Sequence, residues 1–312
     1  MSSFELAKNA FLNGLSHLEQ KQYLDAENAF RESLIHAPDR PSTLLNLSIT
    51  LINLQNYEEA KQLLYKFIAI EPNNPEALFY LGVTFKNLNS PVQAIEYLQK
   101  ATQIHLEFFD AWLLLADLFD SQQLSAQALS CYDSLLLLKS DFLQGWINKA
   151  LLLSELGKHE EACHAYSKAI ALDPNKSDFL QCELGNSLWQ SGHLEEALIA
   201  LEKAIELNTK NSKAHSIYGA ALYEKKSLEE ALAAYQSALE IDPQDFQTWS
   251  NSGVALHALN KPEEALTAYD KALAIKPDYA EAWSNKAITL NDLKRYEEAL
   301  TAYDKALEFN PD

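Results

Sequence analysis

The chain has 312 residues, of which 47% are hydrophobic and 22% charged, enough apolar surface to bury a sizeable core. Its formal net charge is −19, from 25 Lys and Arg against 44 Asp and Glu, with no basic run to offset it. That balance argues against phosphate backbones and anionic lipid as partners, so no nucleic acid and no membrane surface is expected. The N-terminal segment lacks a basic stretch followed by an apolar one, and no apolar run is long enough to span a bilayer. Cys131, Cys163 and Cys182 are odd in number and form no C-x-x-C pair. They read as buried small hydrophobes in a reducing compartment, which makes a cytoplasmic location the expectation.

Taken in chain order, one pattern returns throughout. An alanine is followed four residues later by an aromatic residue or leucine: Ala26 with Phe30, Ala60 with Leu64, Ala94 with Leu98, Ala128 with Tyr132 and Ala162 with Tyr166. It continues as Ala197 with Leu201, Ala231 with Tyr235, Ala265 with Tyr269 and Ala299 with Tyr303. The alanines are 34 residues apart, except for 35 between Ala162 and Ala197. Three residues beyond each aromatic or leucine stands a further member of the stripe, alanine in most units, as in Ala101, Ala169 and Ala238. Positions i, i+4 and i+7 share one helix face. An earlier stripe precedes each alanine, clearest in Leu78, Leu81, Gly82 and Phe85, and again in Trp249, Gly253 and Leu256. Its spacing is helical and not that of a strand.

The middle of this earlier helix always holds a small residue: Gly14, Ser48, Gly82, Ala116, Ala150, Gly185, Gly219, Gly253 and Ala287. Glycine inside a helix costs about 1 kcal/mol in propensity, so its regular use predicts a close helix crossing. Trp112, Trp146, Trp249 and Trp283 occupy a packing position and are expected in the core. Proline turns such as Pro72, Pro174, Pro243 and Pro277 separate the units. Leu106, Ser140 and Thr209 replace that proline, and those junctions are expected to be less sharply specified. The frame gives nine units in one domain spanning 1–312: 7–40, 41–74, 75–108, 109–142, 143–176, 178–211, 212–245, 246–279 and 280–312. Ser177 is the inserted residue, within the turn from Pro174 to Asp178. The expected fold is all-α, a solenoid of antiparallel helix pairs in which stacked neighbours supply the core.

These motifs resemble the tetratricopeptide repeat family, in which a 34-residue helix–turn–helix carries W-x2-L-G-x2-Y, then A-x3-F, then P. Here Leu78, Leu81, Gly82 and Phe85 precede Ala94 and Leu98, and Trp283 precedes Ala299, Tyr303 and Pro311. The resemblance covers 7–312. It implies a right-handed superhelix whose first helices line a concave groove and whose second helices form the outer face. It also implies recognition of proteins or extended peptides.

On the face that the resemblance makes concave, one position holds Asn46, Asn148, Asn251 and Asn285. Its other occupants include Tyr80, Leu114, Glu183 and Ile217. Repeated amides at one position are similar to the asparagine ladder in the repeat arm of O-linked N-acetylglucosamine transferases, which holds a peptide backbone. Asn251 and Asn285 stand in adjacent units. Cys182, Asn186 and Trp189 are expected on the same face, with Trp189 and Tyr223 as aromatic anchors and His257 and Asn291 as neighbours supplying selectivity. Inter-repeat packing is the alternative role for Trp189 and Tyr223.

A basic clamp for a chaperone's C-terminal carboxylate is not expected, because its positions hold Ser121, Glu155, Gln190, Glu224, Ala258 and Asp292. No HExxH, GxSxG or glycine-rich phosphate loop occurs, and the acidic pairs ahead of each repeat alanine suit helix N-termini. No catalytic residue, metal or cofactor is therefore expected. The function read from the chain is a scaffold for a neutral to basic peptide. Two alternatives stay open: a substrate-recruiting arm of a larger enzyme such as a glycosyltransferase, and an assembly subunit that binds through its outer helices. The last repeat is regular and no polar-faced cap follows it, so a further domain beyond residue 312 is an expectation.

Overall fold

The structure, a computed structural model, describes residues 2–174 and 178–310. Every regular element among the described residues is an α-helix. The chain divides into two compact units, 1–145 and 146–312. The first holds α1 (Ser3–Glu19), α2 (Tyr23–His36), α3 (Pro41–Asn53), α4 (Tyr57–Ile70), α5 (Pro75–Asn87), α6 (Pro91–Ile104), α7 (Phe109–Ser121) and α8 (Ser125–Leu138). The boundary falls in α9 (Leu143–Glu155), and the second unit continues with α10 (His159–Leu172), α11 (Asp178–Gln190), α12 (Leu194–Leu207), α13 (Ser212–Glu224) and α14 (Leu228–Ile241). It closes with α15 (Phe246–Ala258), α16 (Pro262–Ile275), α17 (Ala280–Asp292) and α18 (Tyr296–Phe309).

The helices pack in chain order, each against the next from α1 to α8 and from α10 to α18. Odd helices also touch the next odd helix, as α1 with α3, α3 with α5, α11 with α13, α13 with α15 and α15 with α17. Each unit is thus a solenoid of antiparallel helix pairs. The repeated alanines are at most 3% exposed, and the residue four later is buried from Phe30 through Tyr269. Neither helix of a pair can bury its stripe alone, so stacking makes the core.

The odd-helix glycines mark the crossings. A Cβ on Gly14 would stand 2.5 Å from the Phe30 ring, on Gly82 2.5 Å from Leu98, on Gly219 2.7 Å from the Tyr235 ring and on Gly253 2.5 Å from the Tyr269 ring. The small residue of the odd helix therefore receives the large residue of the even helix that follows it, as the spacing predicts.

The turn inside each pair shows a feature without a sequence signature. Lys21, Gln55, Asn89, Gln123, Gly157, Gly192, Lys226, Asn260 and Lys294 all adopt positive φ, between 53° and 84°. The next residue's N–H bonds back five residues, as Asn56 to Leu51 O at 2.8 Å and Ser227 to Leu222 O at 3.0 Å. This is the Schellman ending, which satisfies carbonyls at the helix C-terminus.

Two expectations need correction here. The turns at Leu106, Ser140 and Thr209 keep the same backbone bond as the proline turns. Phe108 N–H donates to His105 O at 3.1 Å and Asn211 N–H to Asn208 O at 3.0 Å, against Tyr279 N–H to Lys276 O at 3.2 Å. Packing of the flanking helices holds the turn without proline. The second correction concerns Trp112, Trp146, Trp249 and Trp283, which are half-buried and not in the core. Trp249 and Trp283 pack on the core from its edge. There the indole N–H can reach the inter-repeat turn: Trp112 donates to Leu106 O at 2.8 Å, Trp249 to Pro243 O at 3.0 Å and Trp283 to Pro277 O at 2.9 Å. At that edge the ring keeps its apolar body on the core while its N–H meets a backbone acceptor. The inserted Ser177 lies outside the described residues, though α9 and α11 begin 35 residues apart, at Leu143 and Asp178.

Candidate functional site: a groove on the odd helices of the second unit

In the second unit, α11, α13, α15 and the start of α17 line two adjoining cavities of about 690 and 360 Å³. Helical spacing sets the lining. Asn186 and Trp189 are one turn apart on α11. Lys213, Ser216, Ile217 and Ala220 run along α13, and Tyr223 and Glu224 extend that stripe into the smaller cavity. From α15 come Gln247, Asn251 and Val254, and from the α17 end Tyr279 and Glu281. Trp189, Ala220, Asn251 and Glu281 border both cavities.

Carboxylates outnumber lysines in this lining, Asp242, Asp245, Glu224 and Glu281 against Lys213 and Lys226, and those on the flanking stretch of α11 are held from within. Glu183 is 7% exposed and pairs with Lys213. Asp178 accepts from Asn208 Nδ2 at 2.8 Å and Asn211 Nδ2 at 2.9 Å. Asp245 caps α15, accepting from the Gln247 and Thr248 N–H groups at 3.0 and 3.1 Å. Glu224 and Glu281 differ. Glu224 accepts the Trp189 indole N–H at 2.6 Å, and Glu281 accepts the Tyr279 hydroxyl at 2.6 Å. Burial first, and then the hydrogen bond and charge of Glu281, push the Tyr279 phenol above its ordinary range. Trp189 and Tyr223 also pack on a core cluster around Leu222 and Tyr235, so the packing role and the groove role coincide in these two rings.

The structure brings together three of the residues singled out in the sequence: Trp189, Tyr223 and Asn251. Asn285 occupies the matching place on α17, half-buried and outside the lining of both cavities. Among the described residues, the side-chain amides of Asn251 and Asn285 make no hydrogen bond within the protein, whereas Asn46, in the first unit, donates to Ser42 O of its own helix at 2.8 Å. Asn148 is half-buried on α9. His257 Nε2 lies 2.9 Å from Asp292 Oδ2, linking α15 to α17, and Asn291 is exposed beside that pair. Cys182, expected on this face, is instead 1% exposed, and burial pushes its thiol up to about 12. Sequence reasoning missed Tyr279 and Glu281. They enter from the turn and first residues of the following repeat, and only the stacking of α17 on α15 brings them there.

Two further cavities, of about 650 and 630 Å³, each lie between two even helices and the odd helix that joins them: one around Cys163, Leu188 and Ile199, the other around Gln236, Trp249 and Lys271. Among the described residues no three His, Cys, Asp or Glu side chains gather as a metal site would require, and no helix is long and apolar enough to cross a membrane.

Helix pairs repeated in one register, with a groove on one set of helices, define a helical-repeat scaffold. The chain belongs to the tetratricopeptide repeat family. Family models described as tetratricopeptide repeat match residues 17–81, 76–105, 143–176, 182–246, 234–267 and 280–312, and one described as TPR repeat matches 253–290. Among solved structures, the chain is similar to YrrB, described as a TPR protein with an unusual peptide-binding site. The two are 28% identical with a TM-score of 0.50, over 60% of this chain and 96% of that one. The Naa15 and Naa10 complex bound to HypK-THB has a chain with a TM-score of 0.64 at 20% identity, over 96% of this chain and 46% of that chain. MamA residues 41 to the end from Desulfovibrio magneticus RS-1 gives 0.50 at 18% identity, over 54% of this chain and 95% of that one. These last two likenesses concern the fold alone. No curated protein gives a significant match.

Proposed function

We propose that the protein is a non-catalytic scaffold that binds an extended segment of a partner protein along the odd-helix groove of its second unit. The observation that carries this reading is the Asn251 amide. It borders both cavities between Trp189 and Tyr223 and has no hydrogen-bond partner within the protein among the described residues. A side-chain amide offers both a donor and an acceptor and so matches one peptide group. Asn285 stands at the same repeat position 34 residues on, and its amide too makes no hydrogen bond within the protein among the described residues. His257 and Asn291 on the same two helices supply selectivity. Likeness to a repeat protein with a peptide-binding site supports the class of ligand. The carboxylates of the groove and the net charge of −19 favour a neutral to basic segment, with affinity that falls as salt rises. The buried free thiols of Cys131 and Cys182 support a cytoplasmic setting.

The test is calorimetric titration of a segment captured by pull-down, against the intact chain and the double variant Asn251→Ala with Asn285→Ala. Loss of two hydrogen bonds at about 0.5–1.5 kcal/mol each predicts binding weaker by about ten- to one-hundred-fold with the fold intact. Unchanged affinity would remove the amides from the site. If the double variant binds normally and substitutions of Gln236 on α14 and Lys271 on α16 weaken binding instead, the even-helix face is the interface. The shared repeat position of Asn251 and Asn285 favours one second reading, that this groove recruits substrates for a larger enzyme such as a glycosyltransferase. A natural transcript that encodes no catalytic domain would dismiss it.

A further inference from the structure

We propose that the smaller cavity is a pocket for an arginine side chain of the bound segment, an inference that rests on the groove reading above. Its chemistry is that of a cation site. Trp189 and Tyr223 form aromatic walls held in place by the core cluster beneath them, and Tyr235, 2% exposed, lies at its base. Two carboxylates, Glu224 and Glu281, border it. Each has one neutral donor fixing it, the indole of Trp189 or the hydroxyl of Tyr279, and neither has a cationic partner among the described residues. Glu183, on the neighbouring stretch of groove, has the Lys213 ammonium. Glu224 and Glu281 are therefore oriented but not neutralised.

A second observation is independent of the carboxylates. Lys226, in the turn after α13, itself lines the cavity and places its ammonium 5.8 Å from the centre of the Tyr223 ring. The aromatic wall thus attracts a cation within its reach, yet that lysine forms no ion pair with either glutamate among the described residues. A planar guanidinium from outside would do what Lys226 does not. A guanidinium stacks on an indole or phenol face, and its five N–H groups pair with carboxylates at its edge. An acidic side chain would be repelled, and an apolar one would desolvate two carboxylates without pairing them. The cavity, at about 360 Å³, accommodates the side chain together with bridging water.

The test uses arrayed nonapeptides with randomised flanks whose central residue is arginine, lysine, citrulline or glutamate, probed with the intact chain. The strongest arginine peptide and its citrulline counterpart are then titrated by tryptophan fluorescence. Citrulline keeps the shape and removes the charge, so it should bind at least about tenfold more weakly. The double variant Glu224→Gln with Glu281→Gln keeps the acceptors for Trp189 and Tyr279 and should abolish the preference for arginine. Lys226→Gly removes the competing ammonium and should tighten arginine peptides severalfold. Lys294→Gly, at the same repeat position but away from the cavity, should not. Equal binding of arginine and citrulline peptides, or a preference that survives in the double glutamine variant, would overturn the pocket. If those peptides still lose affinity on Asn251→Ala with Asn285→Ala, the groove reading stands without it. If no peptide of any class binds, both readings fall.

Discussion

Nine residues hold positive φ at one repeat position, and only two of them are glycine, Gly157 and Gly192. For a lysine or glutamine the left-handed region costs about 1–2 kcal/mol, whereas glycine enters it freely but costs about 0.5–1 kcal/mol of extra chain entropy on folding. The difference predicts that Gln123→Gly or Lys21→Gly stabilises its unit by about 0.5–1 kcal/mol. Gly157→Lys should destabilise by a similar amount through backbone strain alone, because a Cβ there meets nothing within 4 Å. Asn89→Gly and Asn260→Gly should change less, since asparagine tolerates this conformation. Urea denaturation of the single variants measures all three. A loss of stability in Gln123→Gly would show that its side chain contributes more than its backbone costs.

At the scale of the helix pair, the odd-helix small residue and the even-helix large residue act as one unit of packing. A Cβ added to Gly253 would stand 2.5 Å from the Tyr269 ring, but equivalent positions hold Ala116 and Ala150 ahead of the fully buried Tyr132 and Tyr166. The ring position therefore adjusts to one methyl group. Gly253→Ala is expected to be nearly neutral, because about 1 kcal/mol of helix propensity offsets the ring shift. Gly253→Val adds branched bulk at the crossing and should cost about 1–3 kcal/mol. The two urea midpoints separate these outcomes. A valine variant as stable as the alanine variant would mean that α15 and α16 part without cost.

Across the whole molecule, buried phenols tie stability to alkaline pH. Burial is the first cause that raises Tyr166 and Tyr269 from the ordinary value of 10.0 to about 12, and it raises Tyr235 as well. A phenol whose folded value exceeds its unfolded value favours the folded state fully below pH 10. That contribution is lost as pH rises from 10 toward 12, because the unfolded chain ionises first. Helical circular dichroism and tyrosinate absorbance followed together from pH 9 upward should therefore change as one cooperative event for these residues, after the exposed tyrosines have titrated. Full tyrosine ionisation with helix content unchanged would contradict it. Repeat units couple only to neighbours, so the alkaline transition is also expected to be broader than a two-state one.

The amino-acid sequence alone determined the phase of the repeat, the helix pairs and the close crossings, because a helix that cannot bury its stripe alone must carry the pattern of its neighbour's face. It also marked Trp189, Tyr223 and Asn251. Tertiary structure alone decided what those side chains meet. Asn46 and Asn251 share a repeat position, yet one amide bonds to its own helix and the other borders a groove. Cys182 and Glu183 lie on the helix that carries Trp189, yet packing buries the first and Lys213 from α13 neutralises the second. Glu281 and Tyr279 carry no signal of a groove role, since they reach the cavity from the next repeat. The positive-φ turns bear lysine and glutamine where local preference asks for glycine, and stacking of the pair overrides that preference. Periodicity is a property of the chain and can be read from it, whereas the partner of a polar side chain depends on residues a repeat or more away, which only the packed helices bring within bonding distance.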